Sequence, residues 1–210
     1  MKIKHIIQVF ISVTFLLLAS FDFLCSQDID SLLIKWENRL KKENLISCRI
    51  KQIKKISFLK NKIFLEGEFY YKYPHFFRME ISGDENYDIY CDGEKVYIID
   101  HDLGEKEIHN VEELYSRERL NKLALPLLGQ TREQIKQNYK ITFQKKEHLY
   151  EVHPLSHTSQ SYEKIHFKID NMDRIEWMKI FYKNSDWTEM EFNNWKEHGK
   201  VSDYFFKYLK

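Results

Sequence analysis

The sequence has few of the residues that interrupt or divide a globular fold. Its 210 residues include three prolines and six glycines, and no internal repeat or low-complexity linker separates one part from another. A chain of this length suffices for one well-buried domain. We therefore expect a single domain over residues 27–210, preceded by a targeting segment at residues 1–26.

The sequence also lacks an apolar run long enough to cross a bilayer comfortably. Residues 6–18 are apolar, whereas a transmembrane helix needs about 20 such residues. Because Lys2 and Lys4 precede this stretch, residues 1–26 are interpreted as a signal peptide that is cleaved after Ser26. Lipid attachment to Cys25 is the less favoured alternative, since Leu24 replaces the small residue usual before a lipidated cysteine.

Neither sign of charge predominates. Residues 1–26 contain two lysines and one aspartate, so the remaining chain has 31 basic and 31 acidic residues. A nucleic-acid surface needs a net or strongly clustered positive charge, and no nucleic-acid partner is expected. Cys48 and Cys91 also remain after cleavage. They could form a disulfide in an exported protein, but two buried free thiols are the favoured interpretation.

Motifs for catalysis and metal binding are missing as well. The sequence contains no G-x-S-x-G, no glycine-rich phosphate loop and no recognisable Cys/His pair. The histidines at positions 148, 153, 157 and 166 follow no compact ligand spacing, so solvated positions are favoured over a metal site. We expect no enzymatic activity, no cofactor and no metal.

Short alternating segments make up most of the chain. Across residues 62–73, one apolar face comprises Ile63, Leu65, Phe69, Tyr71 and Tyr73. Gly67 lies on that face, where a missing side chain permits either a bend of the strand or close approach of another backbone. Pro74 ends this strand, and Asp92-Gly93 predicts a two-residue type I′ turn further on.

The order of elements predicts two runs of antiparallel strands separated by a helical insert. An amphipathic helix is expected over residues 28–43, and the insert begins after Asn110, with a second short helix capped by Thr131. The predicted strands are 46–56, 62–73, 75–82, 86–92, 95–101 and 105–109 before the insert, and 138–144, 147–153, 162–169, 173–183, 186–195 and 201–208 after it.

This pattern resembles the LolA/LolB family, whose members carry outer-membrane lipoproteins through the periplasm. The resemblance rests on the spacing of Gly67, Lys72, Pro74, Phe77, Arg78, Asp92 and Gly93. The order of elements is similar to that of LolA in particular. The resemblance implies a mainly β, α+β fold, in which a strongly curved antiparallel sheet forms an incomplete, half-open β-barrel covered by a helical lid.

The function implied by the resemblance is that of a periplasmic chaperone. It would accept the acyl chains of lipoproteins from an inner-membrane ATP-driven releasing complex, shield them in an apolar cavity, and pass them to the outer membrane. A separate outer-membrane acceptor could receive them there. The carrier would act as a monomer, without a cofactor.

The resemblance also implies where the acyl chains bind. The expected lining consists of Phe69, Tyr71, Tyr73, Phe77, Met79 and Ile81 from the sheet, with Leu120, Leu123, Leu127 and Leu128 from the lid. Tyr73 takes the position at which the family has an arginine that latches the lid. A phenol has no charge and fewer donors than a guanidinium, so the latch would be weaker or differently made.

Three alternatives stay open at this point. The chain could be a LolB-like acceptor anchored to the membrane through Cys25, or a carrier of another lipid. It could also be a periplasmic sensor that uses the same fold to bind a protein partner.

Overall fold

The computed structural model describes residues 29–42, 45–111, 131–155 and 162–208. These residues form helix α1 over residues 29–42, helix α2 (Arg132–Asn138) and a 3₁₀ helix (Asp203–Phe206). The strands are β1 (Leu45–Lys55), β2 (Ile63–Lys72), β3 (Phe76–Gly83), β4 (Tyr87–Asp92), β5 (Lys95–Asp100), β6 (Glu105–Asn110), β7 (Tyr139–Gln144), β8 (Leu149–Pro154), β9 (Tyr162–Ile169), β10 (Ile175–Tyr182) and β11 (Trp187–His198).

All of these strands belong to one antiparallel sheet. Their spatial order is β6-β5-β4-β3-β2-β1-β11-β10-β9-β8-β7, so two consecutive meanders meet where β1 pairs with β11. The sheet is open, with β6 and β7 at its edges. The predicted mainly β, α+β class is confirmed. The strong curvature, the half-open barrel and the lid stay predictions.

One face of the sheet is buried because apolar residues recur at every second position. Cys48, Phe69, Met79 and Ile89 lie opposite one another across β1 to β4. Each of these side chains is at most 2% exposed. Since directly opposed residues point to the same face, this register joins the apolar faces of separate strands into one core.

The turn between β4 and β5 differs from the predicted type I′ turn. Gly93 has a positive φ of 93°, whereas Asp92 still belongs to β4. The Asp92 carboxylate accepts hydrogen bonds from the backbone N–H groups of Glu94 (3.1 Å) and Lys95 (2.8 Å). This local bonding stabilises the turn, so a second residue with positive φ is not needed.

The predicted start of α2 is confirmed. Thr131 is its N-cap, and the Thr131 hydroxyl accepts a hydrogen bond from the backbone N–H of Gln134 at 3.2 Å. The Gln134 side chain accepts in return from the Thr131 N–H at 2.8 Å. The preceding part of the predicted insert, like residues 1–26 with Cys25, lies outside the described residues.

The strand predicted over residues 201–208 is wrong. Ser202 caps the 3₁₀ helix instead, its hydroxyl accepting from the Tyr204 N–H at 3.3 Å. Phe206 is fully buried and its ring lies 5.6 Å from that of Phe76. Phe205 packs 5.1 Å from Tyr70. Consecutive aromatic residues are better buried by a tight helical turn than by a strand, which would point them to opposite faces.

Cys48 and Cys91 are buried free thiols. They lie on β1 and β4, which are separated by β2 and β3, whereas a disulfide needs Cα atoms within about 7 Å. Burial raises the pKa of both thiols, that of Cys91 to about 12. The thiols therefore remain protonated at neutral pH, and both cysteines act as small core residues.

Gly67 allows β2 and β3 to pair closely, as its sequence position predicts. A Cβ atom at Gly67 would overlap the backbone carbonyl oxygen of Glu80 and lie 2.8 Å from Cδ1 of Ile81. At Gly199, by contrast, an added Cβ would meet no atom within 4 Å. The two glycines therefore differ in the space available to a methyl group.

We predict that Gly67→Ala lowers the free energy of unfolding by about 3 kcal/mol, because the two backbones must separate to admit the methyl group. Gly199→Ala should change it by less than about 0.5 kcal/mol. Urea denaturation of both variants measures the difference. Equal stability of the two variants would contradict the close approach at Gly67.

Candidate functional site

Helix α1 lies against the buried face of the sheet. Its apolar residues recur at helical spacing, and Leu32 and Leu33 are at most 5% exposed. The Trp36 ring packs 5.6 Å from that of Phe167 on β9. Ile34, on the other side of the helix, is 41% exposed. The helix therefore presents one apolar side to the sheet.

The turn between β9 and β10 holds α1 in place through backbone carbonyls. The Trp36 indole N–H donates to the Asp173 carbonyl at 2.6 Å, and the Arg39 guanidinium donates to the Met172 carbonyl at 2.8 Å. Lys35 forms an exposed ion pair with the Asp173 carboxylate at 3.3 Å. The position of the helix thus depends on the conformation of this turn.

Asp170 fixes that conformation. Its carboxylate accepts from the backbone N–H groups of Met172 and Arg174, each at 2.9 Å, and from the Arg174 guanidinium at 2.7 Å. Burial alone would raise the pKa of Asp170, but the hydrogen bonds from Arg174 and Met172 outweigh it and hold this pKa below the usual value. The ionised carboxylate is therefore the form that stabilises the turn.

A cavity of about 350 Å³ is lined by α1, α2 and one end of the sheet. Its described lining is apolar at the centre and charged at the rim. The apolar part consists of Leu33, Trp36 and Leu40 from α1, Ile135 from α2, and Ile46, Phe69, Tyr71, Tyr73, Ile175, Met178, Phe192 and Trp195 from the sheet and its ends. The rim includes Glu37, Arg39, Arg132, Asp173, Arg174, Lys196 and Glu197.

The polar atoms of three lining aromatic residues are already hydrogen-bonded to backbone carbonyls. The Tyr71 hydroxyl donates to Pro74 at 2.8 Å and the Trp195 indole N–H to Ile175 at 3.1 Å. The Trp36 indole donates to Asp173, as described above. These bonds satisfy the polar atoms within the protein, so the rings present mainly hydrocarbon to the cavity.

A β-bulge in β11 brings two aromatic residues into the same lining. Ser47 lies opposite Lys196 while Arg49 lies opposite Asn193, so β11 contains one residue more than β1 over this stretch. Asn194 takes up the irregularity with a φ of 55°. Phe192 and Trp195 are three residues apart and would face opposite sides of a regular strand, yet their rings lie 6.3 Å apart in the cavity.

Charges of both signs are paired around the rim. Arg39 bonds to Glu197 of β11 at 2.9 Å, in addition to Met172. Arg132 pairs with Glu133 at 2.8 Å, and Lys136 of α2 pairs with Asp30 of α1 at 2.8 Å. Neither sign dominates the rim, which therefore provides a polar edge around an apolar cavity.

The sequence-predicted lining residues fall into three groups. Phe69, Tyr71 and Tyr73 line the cavity. Phe77, Met79 and Ile81 of β3 face the same side of the sheet but are packed in the core, at 9%, 1% and 4% exposure, outside the described lining. The remaining four, Leu120, Leu123, Leu127 and Leu128, lie outside the described residues. The role of all ten in lipid binding stays a prediction.

Tyr73, the predicted latch position, lies beside α1. The Lys41 ammonium group is 5.8 Å from the centre of the Tyr73 ring, and Lys41 also pairs with Glu37 at 2.6 Å. Tyr73 is therefore in contact with the helix that forms one wall of the cavity. The predicted lid lies outside the described residues, so the latch role of Tyr73 stays a prediction.

Sequence reasoning missed the contribution of the later strands. Met178, Phe192 and Trp195 complete the lining, but alternation alone predicts only that the first two are buried. The Asn193-Asn194 pair is the one local signal of the bulge, because Asn adopts positive φ more readily than most residues.

Among the described residues, no three His, Cys, Asp or Glu side chains are arranged to hold a metal ion. Neither α1 nor α2, as far as they are described, has the length and apolar character needed to traverse a bilayer.

Comparisons with known proteins identify a family. The family model described as "Outer membrane lipoprotein carrier protein LolA" matches residues 33–209. Comparison with curated proteins gave no match.

Solved structures that are similar to the chain have low sequence identity. A LolA superfamily protein from Nitrosomonas europaea is 9% identical, with 85% of this chain and 97% of that chain covered and a TM-score of 0.46. A DUF1329 family protein from Desulfovibrio piger is 10% identical, with 84% and 95% covered and a TM-score of 0.45. A putative outer membrane lipoprotein-sorting protein domain from Vibrio parahaemolyticus is 8% identical, with 83% and 94% covered and a TM-score of 0.43.

We predict that Asp170→Asn lowers the free energy of unfolding at neutral pH by about 1.5–3 kcal/mol, because bonds to a charged acceptor are lost. The depressed pKa means that the contribution of Asp170 is present above the unfolded pKa of about 4 and is lost as pH falls through the folded value. The stability difference between wild type and variant should therefore shrink in acid. Urea denaturation of wild type and variant, at neutral pH and again in acid, measures this stability difference.

Asp186→Asn is the matched control, since Asp186 also accepts a backbone N–H, that of Ser57 at 2.6 Å, but in the turn before β11. Hydrogen exchange in residues 29–42 should accelerate in the Asp170 variant and not in the Asp186 variant. If both variants leave exchange in α1 unchanged, the attachment of α1 through the β9–β10 turn is refuted.

Proposed function

Because the chain belongs to the LolA family of outer membrane lipoprotein carrier proteins, we propose that it binds the acyl chains of lipoproteins and carries them between membranes. The binding site is the cavity between α1 and the sheet. During transport the acyl chains move from a membrane into the cavity and from the cavity into another membrane, and no covalent bond is made or broken. The carrier works in the periplasm, after removal of the predicted signal peptide.

The apolar lining of the cavity is the observation that supports this proposal. Its central side chains are aliphatic or aromatic, and the polar atoms of Trp36, Tyr71 and Trp195 are bonded to backbone carbonyls. A ligand that fills this space gains contact with hydrocarbon and has few polar groups to match. Its volume lies near the lower end of the range of about 300–1,000 Å³ typical of ligand clefts.

Energetics explain why acyl chains need such a site. Each CH₂ group moved from water into an apolar environment contributes about 0.8 kcal/mol, so two or three chains cannot remain free in an aqueous compartment. The cavity offers this environment at one end of the sheet, beneath the apolar side of α1. Transfer of an acyl chain from water into it is therefore favourable.

The charged rim suits the other part of the cargo. The peptide portion of a lipoprotein is polar and would remain in water at the opening. In the described structure Arg39 is paired with Glu197, and Arg132 is paired with Glu133. The rim therefore has no strong preference for one sign of charge. A rim of this kind is compatible with lipoproteins of differing peptide sequence.

Family membership supports a proposal for the partners. We propose that an inner-membrane ATP-driven complex supplies the lipoprotein and that the outer membrane receives it, with or without a separate acceptor. The four predicted lid leucines and the latch role of Tyr73 belong to the same proposal. They are expected to cover the cavity of the empty carrier and to move aside when acyl chains enter.

We predict that Leu40→Glu lowers the amount of acylated lipoprotein retained by the protein by about ten-fold, because the cavity would then hold a carboxylate that acyl chains must desolvate. Leu40 is a half-buried cavity residue, so the fold should survive the change. Mass spectrometry of material that co-purifies with the protein from the cell envelope measures retention. Circular dichroism verifies the fold.

Ile34→Glu provides the control. It introduces the same charge on the same helix, but Ile34 is 41% exposed and lies outside the described lining. Retention by this variant should equal that of the wild type. A wild-type protein that retains a protein partner without acyl chains would contradict the carrier proposal and favour a sensor.

A further inference from the structure

The turn between β1 and β2 carries the large apolar side chain with the highest exposed fraction among the described residues. Phe58 is 83% exposed, more than any other large apolar residue in the described ranges, and the adjacent Leu59 is 37% exposed. Residues 57–62 are exposed throughout. We call residues 56–62 the β1–β2 tip. Isolated apolar side chains on a surface are common, so the meaning of this tip depends on its rigidity and its charges.

The tip is held in a defined conformation. The Leu59 N–H donates to the Ile56 carbonyl at 3.0 Å, closing a turn. The Ser57 N–H donates to the Asp186 carboxylate at 2.6 Å, and the Lys55 ammonium donates to the Leu59 carbonyl at 2.8 Å. These bonds tie the tip to the neighbouring β10–β11 turn. Phe58 and Leu59 are therefore presented to solvent by an ordered turn, with little entropy left to lose on binding.

Lysines surround the exposed pair. Residues 54–62 contain four lysines and no acidic residue. Lys55, Lys60 and Lys62 form no ion pair with any described residue, and the Lys62 ammonium lies 5.1 Å from the centre of the Trp187 ring. The fourth, Lys54, pairs with Glu85 at 2.6 Å. An apolar protrusion is thus flanked by cations. Lys60 has no described carboxylate partner, whereas Lys55 and Lys62 lie close enough to Asp186 and Glu189 to help lower the pKa of these two carboxylates.

Carboxylates of the adjacent turns are already engaged. Asp186 accepts from Ser57 and from the Asn184 amide at 2.8 Å. Asp84 accepts from the Phe64 N–H at 2.8 Å, and Glu85 pairs with Lys54. The anionic groups nearest the tip are therefore used to fix its backbone and its base, and an external anion would not have to displace a direct ion pair at Lys55, Lys60 or Lys62.

We propose that the β1–β2 tip docks the protein on a lipid bilayer that carries anionic headgroups. Phe58 and Leu59 enter the boundary between headgroups and acyl chains, and Lys55, Lys60 and Lys62 contact phosphates. A convex tip with two apolar residues offers far less than the roughly 1,000 Å² of buried area that a stable protein interface needs. A deformable, anionic surface is the partner that fits such a shape and charge.

Docking in this way would leave the cavity free. Leu45 begins β1 beside the cavity residue Ile46, and Lys55 ends the strand at the tip. Eleven residues at about 3.4 Å each place the tip roughly 35 Å from the cavity end of the sheet. Docking through the tip is therefore independent of what the cavity binds. In the docked state the cavity would face the aqueous compartment.

Co-sedimentation of the full chain with vesicles tests the proposal. One vesicle set contains phosphatidylcholine with phosphatidylglycerol, and the other contains phosphatidylcholine alone. Wild type should bind the anionic vesicles more tightly, and added salt should weaken that binding. Phe58→Ala should lower the partition coefficient by about ten-fold. The double variant Lys60→Gln, Lys62→Gln should bind the anionic vesicles more weakly, with a partition coefficient that is lower by about five-fold for each lysine removed. Its binding to the phosphatidylcholine vesicles should not change.

Leu103→Ala is the matched control. Leu103 is 70% exposed in the turn after β5 and is flanked by acidic rather than basic residues, among them Asp100 and Asp102. This variant should bind as the wild type does. All variants share residues 1–26, so differences between them report on the tip, and unchanged urea denaturation verifies each fold. Equal binding of wild type and the Phe58 variant, or equal losses in the Phe58 and Leu103 variants, would overturn the proposal.

Discussion

The pairing of β1 with β11 is the contact on which the rest of the structure depends. It joins two meanders that are each formed by neighbours in sequence, and it brings together residues as distant as Leu45 and His198. Without it there would be two separate sheets, each with an exposed edge and half of the apolar face. The cavity lies across this junction, with Phe69 and Tyr71 on one side and Met178 and Phe192 on the other. The candidate site is therefore a product of the longest-range pairing in the sheet.

Helix α1 completes the site through two kinds of interaction. Its apolar side packs on the sheet, and its polar groups bond to the backbone of the β9–β10 turn through Trp36 and Arg39. Because the turn is ordered by the ionised Asp170, a partly buried carboxylate supports the geometry of an apolar cavity. The same division recurs across the sheet, where one face carries the core and the other carries ion pairs and aromatic–cation contacts. Stability and binding thus use the same apolar face.

Much of this architecture could be predicted from local patterns. Alternation placed eleven strands close to their observed bounds, and the capping box at Thr131 located α2. The β11 bulge at Asn194 and the pairing of β1 with β11 could not be derived, because both depend on contacts between distant parts of the chain. For the same reason Phe77 and its neighbours on β3 were indistinguishable from true lining residues, since a shared face does not reveal which part of that face is filled. The C-terminal strand was mispredicted because aromatic content alone favours a strand.

We propose that acyl chains occupy the cavity that α1 forms with the sheet. The most direct measurement is by NMR, with methyl-labelled methionine and a lipopeptide that carries protonated acyl chains. Met178 lines the cavity, whereas Met79 faces the same side of the sheet from the packed core. Occupation of the cavity by acyl chains predicts intermolecular NOEs from acyl methylenes to the Met178 methyl group and none to that of Met79. NOEs to Met79 alone, or a lipopeptide that binds without contact to Met178, would contradict it.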